Sequence, residues 1–433
     1  MKPELKTVKL SQIVFDEVVY PRKDHDPVLV QRYAEVIEEI EAARKYICIA
    51  SDMKLLDGKH RWLAYRKRFG KEDREIQAFV YQVTTPHEQL KLAAQLNCDH
   101  GWQLSTSDKE AVAKSLYAYG TSFEEIAKAL SVGKKKVSDW LSRVVKDNKD
   151  KRDAKIQKMW LACYTLEEIG KVCDCTMQTV ANVAEEFSKS VFENQNGKTH
   201  AEITHTVDFE VPLYNVWKQQ TKSEGSSHFG NSEVRWLDNL LYLYTKPFDV
   251  VVDPFAGGGS TIDLCKKRLR RYWVSDRKPV PERAEEIREH DVMDGKNVVL
   301  PALARWKDVS LVYLDPPYWK QAEGKYSKDK TDLANMELAE FNESLAGVIT
   351  GFAKKLQAGA RIALIIQPTQ WKAPERQYTD HVADMLRAVK LPIDMRISCP
   401  YESQQCTAQM VEWAKKTRSV LVLSREIVVW KVA

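Results

Sequence analysis

Four stretches of the 433-residue chain are almost unbroken runs of apolar residues: Asp249–Asp253, Arg271–Ser275, Val309–Leu314 and Arg361–Ile366. A strand with apolar side chains on both faces needs cover on both faces, and helical segments separate these four. The pattern predicts a parallel sheet with helices on either side. After it, Ser419–Leu423 and Glu426–Trp430 are separated only by Ser424-Arg425, which predicts a terminal antiparallel hairpin. The expected fold class is therefore α/β over residues 211–433.

The parallel strands matter because their carboxyl ends form a single edge where ligands bind. At the end of the first strand stands Asp253-Pro-Phe-Ala-Gly-Gly-Gly-Ser-Thr261, directly before a helix. Glycine there lets a ligand lie against backbone. The turn lacks the helix-packing third glycine of dinucleotide enzymes and the lysine of a P-loop. The second strand ends at Asp276, a carboxylate placed to accept from ribose hydroxyls. Together these residues describe an adenosine site without a phosphate clamp. The strand Val309–Leu314 ends in Asp315-Pro316-Pro317-Tyr318. Its prolines fix extended backbone and remove donors, so Asp315 and the Pro316 carbonyl can both accept from one exocyclic amine, and Tyr318 offers a stacking face.

Residues 211–433 thereby resemble the amino-group DNA methyltransferases that use S-adenosylmethionine. The resemblance implies a Rossmann-like methyltransferase sheet, catalytic residues Asp315, Pro316, Pro317 and Tyr318, and cofactor contacts from Asp253, Phe255, Gly257, Gly259 and Asp276. It adds two positions: Ser232, in the segment that would cover the methionine end, and Asp291, at the end of the expected third strand of the sheet edge. An aspartate leading the tetrapeptide is similar to the adenine-N6 enzymes, whereas cytosine-N4 members more often begin with serine. Adenine is the expected target, with cytosine-N4 as the alternative. Only 62 residues separate Asp253 from Asp315, so no large target-recognition domain fits between them, and sequence reading is expected partly from the amino-terminal half.

That half begins with alternating strand and helix signals and then turns wholly helical. Phe123–Leu130, a short turn and Lys134–Leu141 read as a helix-turn-helix, and a second copy follows over Thr165–Phe187, where plain packing or a dimer surface is as good a reading as groove contact. From Gly133 to Lys158 ten basic residues face four acidic ones, which marks Lys134, Lys135, Lys136 and Arg143 as expected phosphate contacts on double-stranded DNA. Pro21-Arg22, Asp57-Gly58-Lys59-His60-Arg61 and Asn97, in that order before the helix-turn-helix, resemble the ParB/sulfiredoxin-like superfamily. The resemblance implies that Gly58, His60 and Arg61 meet nucleotide phosphates; the alternative is a fold kept only as a DNA-binding arm or homodimer platform. The expected organisation is a ParB-like α+β domain over 1–100, a helix-turn-helix region over 101–190, a linker over 191–210 and the methyltransferase domain over 211–433.

The remaining composition narrows the setting. Lys plus Arg exceeds Asp plus Glu by 66 to 61, a weak excess whose location says more than its sum. No apolar run approaches the roughly 20 residues of a membrane span, and Met1–Leu10 lacks an apolar signal core, so a cytoplasmic protein with no membrane partner is expected. The eight cysteines have no zinc spacing, so no metal is expected. The different-class alternative to an enzyme is a partition or regulatory DNA-binding protein with a non-catalytic methyltransferase fold.

Overall fold

The structure is a computed structural model that describes residues 2–70, 74–99, 104–193, 198–206, 208–219, 233–293, 298–301, 303, 305–321, 324, 328–371, 377–401 and 406–433. It divides into two compact units, Met1–Lys151 and Arg152–Ala433.

The first unit opens with β1 (Glu4–Lys9), α1 (Pro27–Glu35), α2 (Ile37–Ala42), β2 (Ile47–Ala50), β3 (Leu55–Asp57), α3 (Lys59–Phe69) and β4 (Glu75–Tyr81). The four strands form one mixed sheet in the order β1-β4-β2-β3. Burial of Ile47, Ile49, Leu55 and Ala78 holds α1 and α3 against it. Four helices follow: α4 (Pro86–Asp99), α5 (Thr106–Ala118), α6 (Phe123–Ala129) and α7 (Lys134–Leu161). Ser122 and Glu125 form a reciprocal capping box that starts α6. Ser131, at φ 49, makes the turn into α7. Ile126, Leu130, Val137 and Leu141 are fully buried where the two helices meet. The helix-turn-helix is thus present, but α7 runs 28 residues, well past the expected Leu141, and the division between units falls within it.

The second unit starts with the end of α7 and repeats the same device through α8 (Leu166–Val172) and α9 (Met177–Ser190). Thr165 and Glu168 form its capping box, and Asp174, at φ 48, occupies the position of Ser131. Then come α10 (His200–Thr204), α11 (Val234–Tyr244), β5 (Val250–Asp253), α12 (Ser260–Lys267), β6 (Arg271–Asp276), β7 (Arg288–Glu289), β8 (Val309–Leu314), α13 (Leu338–Ala353), β9 (Arg361–Ile366), β10 (Thr369–Trp371), β11 (Gln377–Thr379), α14 (His381–Ala388), β12 (Ile393–Pro400), α15 (Ala408–Thr417) and β13 (Ser424–Lys431). The seven-stranded sheet has the order β12-β13-β9-β8-β5-β6-β7. β5, β6, β7, β8 and β9 are parallel, whereas β13 runs antiparallel to both β9 and β12.

The antiparallel pair at the carboxyl end is present, yet its first strand is β12 and not Ser419–Leu423, which forms no strand. The reason is burial. Ile427, Val428, Val429 and Trp430 are all wholly inaccessible, so β13 needs a ladder on each edge, and eight residues of β12 supply a longer one than five residues joined by a tight turn.

The stretch expected as a linker is tied down in part. Arg268, 2% exposed, donates to both Asp238 oxygens at 2.8 and 2.7 Å, to the Thr204 carbonyl at 3.0 Å and to Asp208 at 3.1 Å. A buried guanidinium demands such partners. The second helix-turn-helix is also anchored: Arg271 donates to the Trp160 carbonyl, Arg288 to that of Ala162, and the Tyr164 hydroxyl to that of Glu285.

Candidate active site

Because β5, β6 and β8 are parallel neighbours, their carboxyl ends place Asp253, Asp276 and Asp315 along one edge. Asp253 is 2% exposed. It accepts from the Thr261 hydroxyl at 2.5 Å and from the Phe255 amide at 2.9 Å, which pins both ends of the glycine loop to the strand. Burial pushes its carboxyl up to about 7, and the neighbouring charges of Asp315 and Asp276 add to the rise.

The glycine loop is held by the chain's own acids. Gly257, at φ 50, donates its amide to Asp276 at 3.0 Å, and the Lys278 amide donates to the other oxygen of the same carboxylate. Gly259 stands at φ 82 as the residue before α12, and a side chain there would lie 2.8 Å from Arg283 Cδ. These features fit a nucleoside: backbone kept low over the loop, and a carboxylate at the end of the next strand. Phe255 is half-buried and packs on the core beneath the loop. Asp291 lies two residues beyond the short β7 rather than at a strand end; it accepts from the Met293 amide and pairs with Arg277 at 2.9 Å. Ser232 lies outside the described residues.

At the end of β8, Asp315 is half-buried, Pro316 buried, and Pro317 and Tyr318 half-buried. The Tyr318 hydroxyl donates to Asp315 Oδ1 at 3.1 Å. One residue here had no local signal in the sequence. Arg425 lies in the span that reads as a hairpin turn, but it belongs to β13, opposite Cys399. An antiparallel strand starts where its parallel neighbours end, so Arg425 arrives beside Asp315, 5.1 Å from the Tyr318 ring centre.

In the first unit, Gly58 precedes α3 at φ 92, as the sequence suggests. The side chains after it turn inward. His60, 6% exposed, accepts from the Asp26 amide at 2.9 Å, and burial, with the charge of Arg22, pulls its imidazole down to about 4. Arg61 donates to the carbonyls of Lys45 and Tyr46 and to Asp57, each at 2.9 Å. The expected phosphate ligand is thus a brace that ties α3 to the sheet. Asn97 is a strut as well, donating to the carbonyls of Leu56 and Ala93.

Lys134, Lys135, Lys136 and Arg143 are all exposed on α7. Three cations in the first turn of a helix oppose its dipole, a local cost that an external anion would relieve. Among the described residues no group of His, Cys, Asp or Glu is placed to hold a metal ion, and no helix is long and apolar enough to cross a membrane.

A family model described as DNA methylase matches residues 50–279, a little over half of the 433 residues. The match includes Asp253, the glycine loop and Asp276 and ends before Asp315. No curated protein matches the chain. Among solved structures it is similar to the C-terminally truncated chromosome-partitioning protein ParB from Caulobacter crescentus complexed with CTP-γ-S, at 14% identity over 32% of this chain and 77% of that one, with a TM-score of 0.20. An rRNA methylase from Streptococcus thermophilus is similar at 10% identity over 47% and 99%, with a TM-score of 0.29. A SAM-dependent methyltransferase from Archaeoglobus fulgidus is similar at 12% identity over 46% and 94%, with a TM-score of 0.28. Scores this low do not bear on function.

Proposed function

Because the chain belongs to the DNA methylase family, we propose that it methylates the N6 amine of adenine in DNA, with sequence recognition partly from its amino-terminal half. S-adenosylmethionine is the methyl donor, and when bound it supplies an electrophilic methyl carbon. The observation that carries the proposal is Asp315 at the end of β8, hydrogen-bonded by Tyr318 and on the same edge as Asp253 and Asp276.

In this reading Asp276 accepts from the ribose hydroxyls, while Gly257 and Gly259 keep the loop's backbone open to the ligand. Asp253, locked by Thr261 and Phe255, holds the loop rather than touching the donor. Phe255 and Asp291 line the adenine end, and Ser232 the methionine end. Asp315 and the Pro316 carbonyl accept from the target amine, directing its lone pair at the methyl carbon. The neutral amine is too weak an acid to be deprotonated first; the nitrogen sheds its proton after it has accepted the methyl, with Asp315 the near acceptor. Pro317 stiffens the turn and Tyr318 stacks on the base. A base inside a duplex cannot reach a sheet edge, so the target is flipped out.

We assign double-stranded DNA to the cationic start of α7 through Lys134, Lys135, Lys136 and Arg143. The domain division proposed is 1–100, 101–190, 191–210 and 211–433, in a cytoplasmic protein. The inward-turned His60 and Arg61 favour a structural role for the Gly58 turn over a nucleotide site.

Digestion of DNA incubated with the chain and labelled S-adenosylmethionine, followed by mass spectrometry of the nucleosides, tests the proposal. Labelled N6-methyladenine is expected. Labelled N4-methylcytosine would replace the adenine reading, and no label in either base would sink the enzyme.

A further inference from the structure

Arg425 carries chemistry that the site as described leaves unused. Its guanidinium carbon stands 5.1 Å from the Tyr318 ring centre, 5.7 Å from that of Tyr401 and 5.8 Å from that of Trp236. Trp236 is itself 1% exposed, fixed by its indole donating to the Trp217 carbonyl at 3.1 Å. Tyr401 is 8% exposed and accepts from the Gln367 amide at 2.9 Å. Two of the three rings are thus buried and hydrogen-bonded. The third, Tyr318, is the one that reaches Asp315.

The topology explains how an arginine comes to this place. β12 ends at Pro400 on the same sheet edge as β8, and β13 starts there, so Tyr401 and Arg425 flank the tetrapeptide from two further strands. A guanidinium is planar and stacks on rings in a way an ammonium does not. The charge of Asp315 acts on Arg425 as well, so the field of one cation bears on both partners of the 3.1 Å Tyr318 to Asp315 hydrogen bond.

We propose that Arg425 is a positioning residue for methyl transfer, holding the Tyr318 ring and the Asp315 carboxylate in the orientation in which they meet the target amine. It acts through those two residues and does not contact the donor. The inference rests on the functional reading above and deepens it.

The test uses the full chain, tritiated S-adenosylmethionine and unmodified DNA, with the single-turnover transfer rate and donor affinity measured separately. Arg425→Gln is expected to lower the rate about 100-fold, the scale of a misplacement near 1 Å, while the dissociation constants of donor and DNA stay at their wild-type values. Arg425→Lys is expected to recover part of the rate. A Gln variant with the wild-type rate overturns the proposal, and so does one that loses donor binding in proportion to rate, since that describes a merely structural residue. Should the Gln variant fail to fold, the Lys variant decides: a lowered rate with intact donor binding supports the proposal, and an unchanged rate overturns it. Wild-type chain that labels no DNA would bring down the functional reading itself, and this inference with it.

Discussion

The first turn of α7 presents three cations to solvent, whereas the end of β5 buries a carboxylate. Lys134, Lys135 and Lys136 are all exposed on one helical turn, while Asp253 is 2% exposed and held by two hydrogen bonds. The contrast separates two ways of using charge. Exposed cations act on a polyanion additively, through released counterions, and each is replaceable. Buried acids act by geometry and by the low dielectric around them, so that removing one changes what its neighbours can do. Substitutions in the two sets should therefore fail differently.

The largest effect is expected at the sheet edge. Asp315→Ala should lower methyl transfer by roughly 10²–10³-fold, the cost of removing one preorganised electrostatic partner, with donor binding retained because Gly257, in the loop after β5, and Asp276, ending β6, lie outside β8. Tyr318→Ala should lose much of the activity too. Tyr318→Phe should do better but fall short of wild type, since it keeps the ring and gives up the hydroxyl that donates to Asp315. Single-turnover rates rank the three; a Phe variant as poor as the Ala variant would remove stacking from the account.

Two glycines sharpen the comparison at the level of the backbone. Gly58 and Gly259 both stand in left-handed conformation before a helix, at φ 92 and φ 82. Alanine in that region costs roughly 1–2 kcal/mol from backbone alone. At Gly259 the added carbon meets Arg283 Cδ at 2.8 Å, the middle of a flexible chain; at Gly58 it meets Ile47 Cγ2 at 2.9 Å and the Arg61 guanidinium at 3.0 Å. Gly58→Ala should therefore lower the melting temperature more than Gly259→Ala, whose larger penalty should fall on donor affinity. The reverse order would mean that Arg61 is not the brace described.

Asp253 gives the pH dependence. Its carboxyl is raised to about 7 against an ordinary value of 3.8, so the stability it lends is full below the ordinary carboxylate range and is lost as pH rises through about 7. Asp253→Asn should remove that loss: the variant's melting temperature should fall less than the wild type's between pH 5 and pH 8. Parallel curves would show that Asp253 ionises without penalty.

How far these features could be read from the sequence follows from where their causes lie. β8 and β9 match the expected spans to the residue because each is apolar on both faces and needs no other information. Asp253, Asp276 and Asp315 were legible for the same reason, since each ends such a run. β12 was not. Its sequence, Ile-Asp-Met-Arg-Ile-Ser-Cys-Pro, is exposed over its first four residues, and only the need of β13 for a second partner makes it a strand. Arg425 was hidden by the same error, because its place depends on that pairing. Arg61 misled differently: a basic residue after a glycine turn carries one signal whether it points at a phosphate or, as here, at two carbonyls and an aspartate of its own fold.

The smallest effect is expected on α7, and the duplicated helix-turn-helix supplies its control. The two copies share capping boxes, a left-handed Ser131 or Asp174 in the turn, and buried Val137 or Val180 in the second helix. They differ in the first turn of that helix: Lys134-Lys135-Lys136 in one, Met177-Gln178-Thr179 in the other. In that turn one copy carries three cations and the other none. Replacing the three lysines by alanine should reduce the steepness of the log affinity against log salt plot by up to about 2.7, at about 0.9 for each phosphate contact given up. Replacing Met177, Gln178 and Thr179 by alanine should leave that slope where it was, because neutral side chains release no counterions. A slope that is unchanged by the lysine replacements would make the run a solvated face. A slope that moves with the second set would mean that replacing neutral side chains there disturbs how cations elsewhere meet the DNA, and the two copies could then no longer be separated by charge.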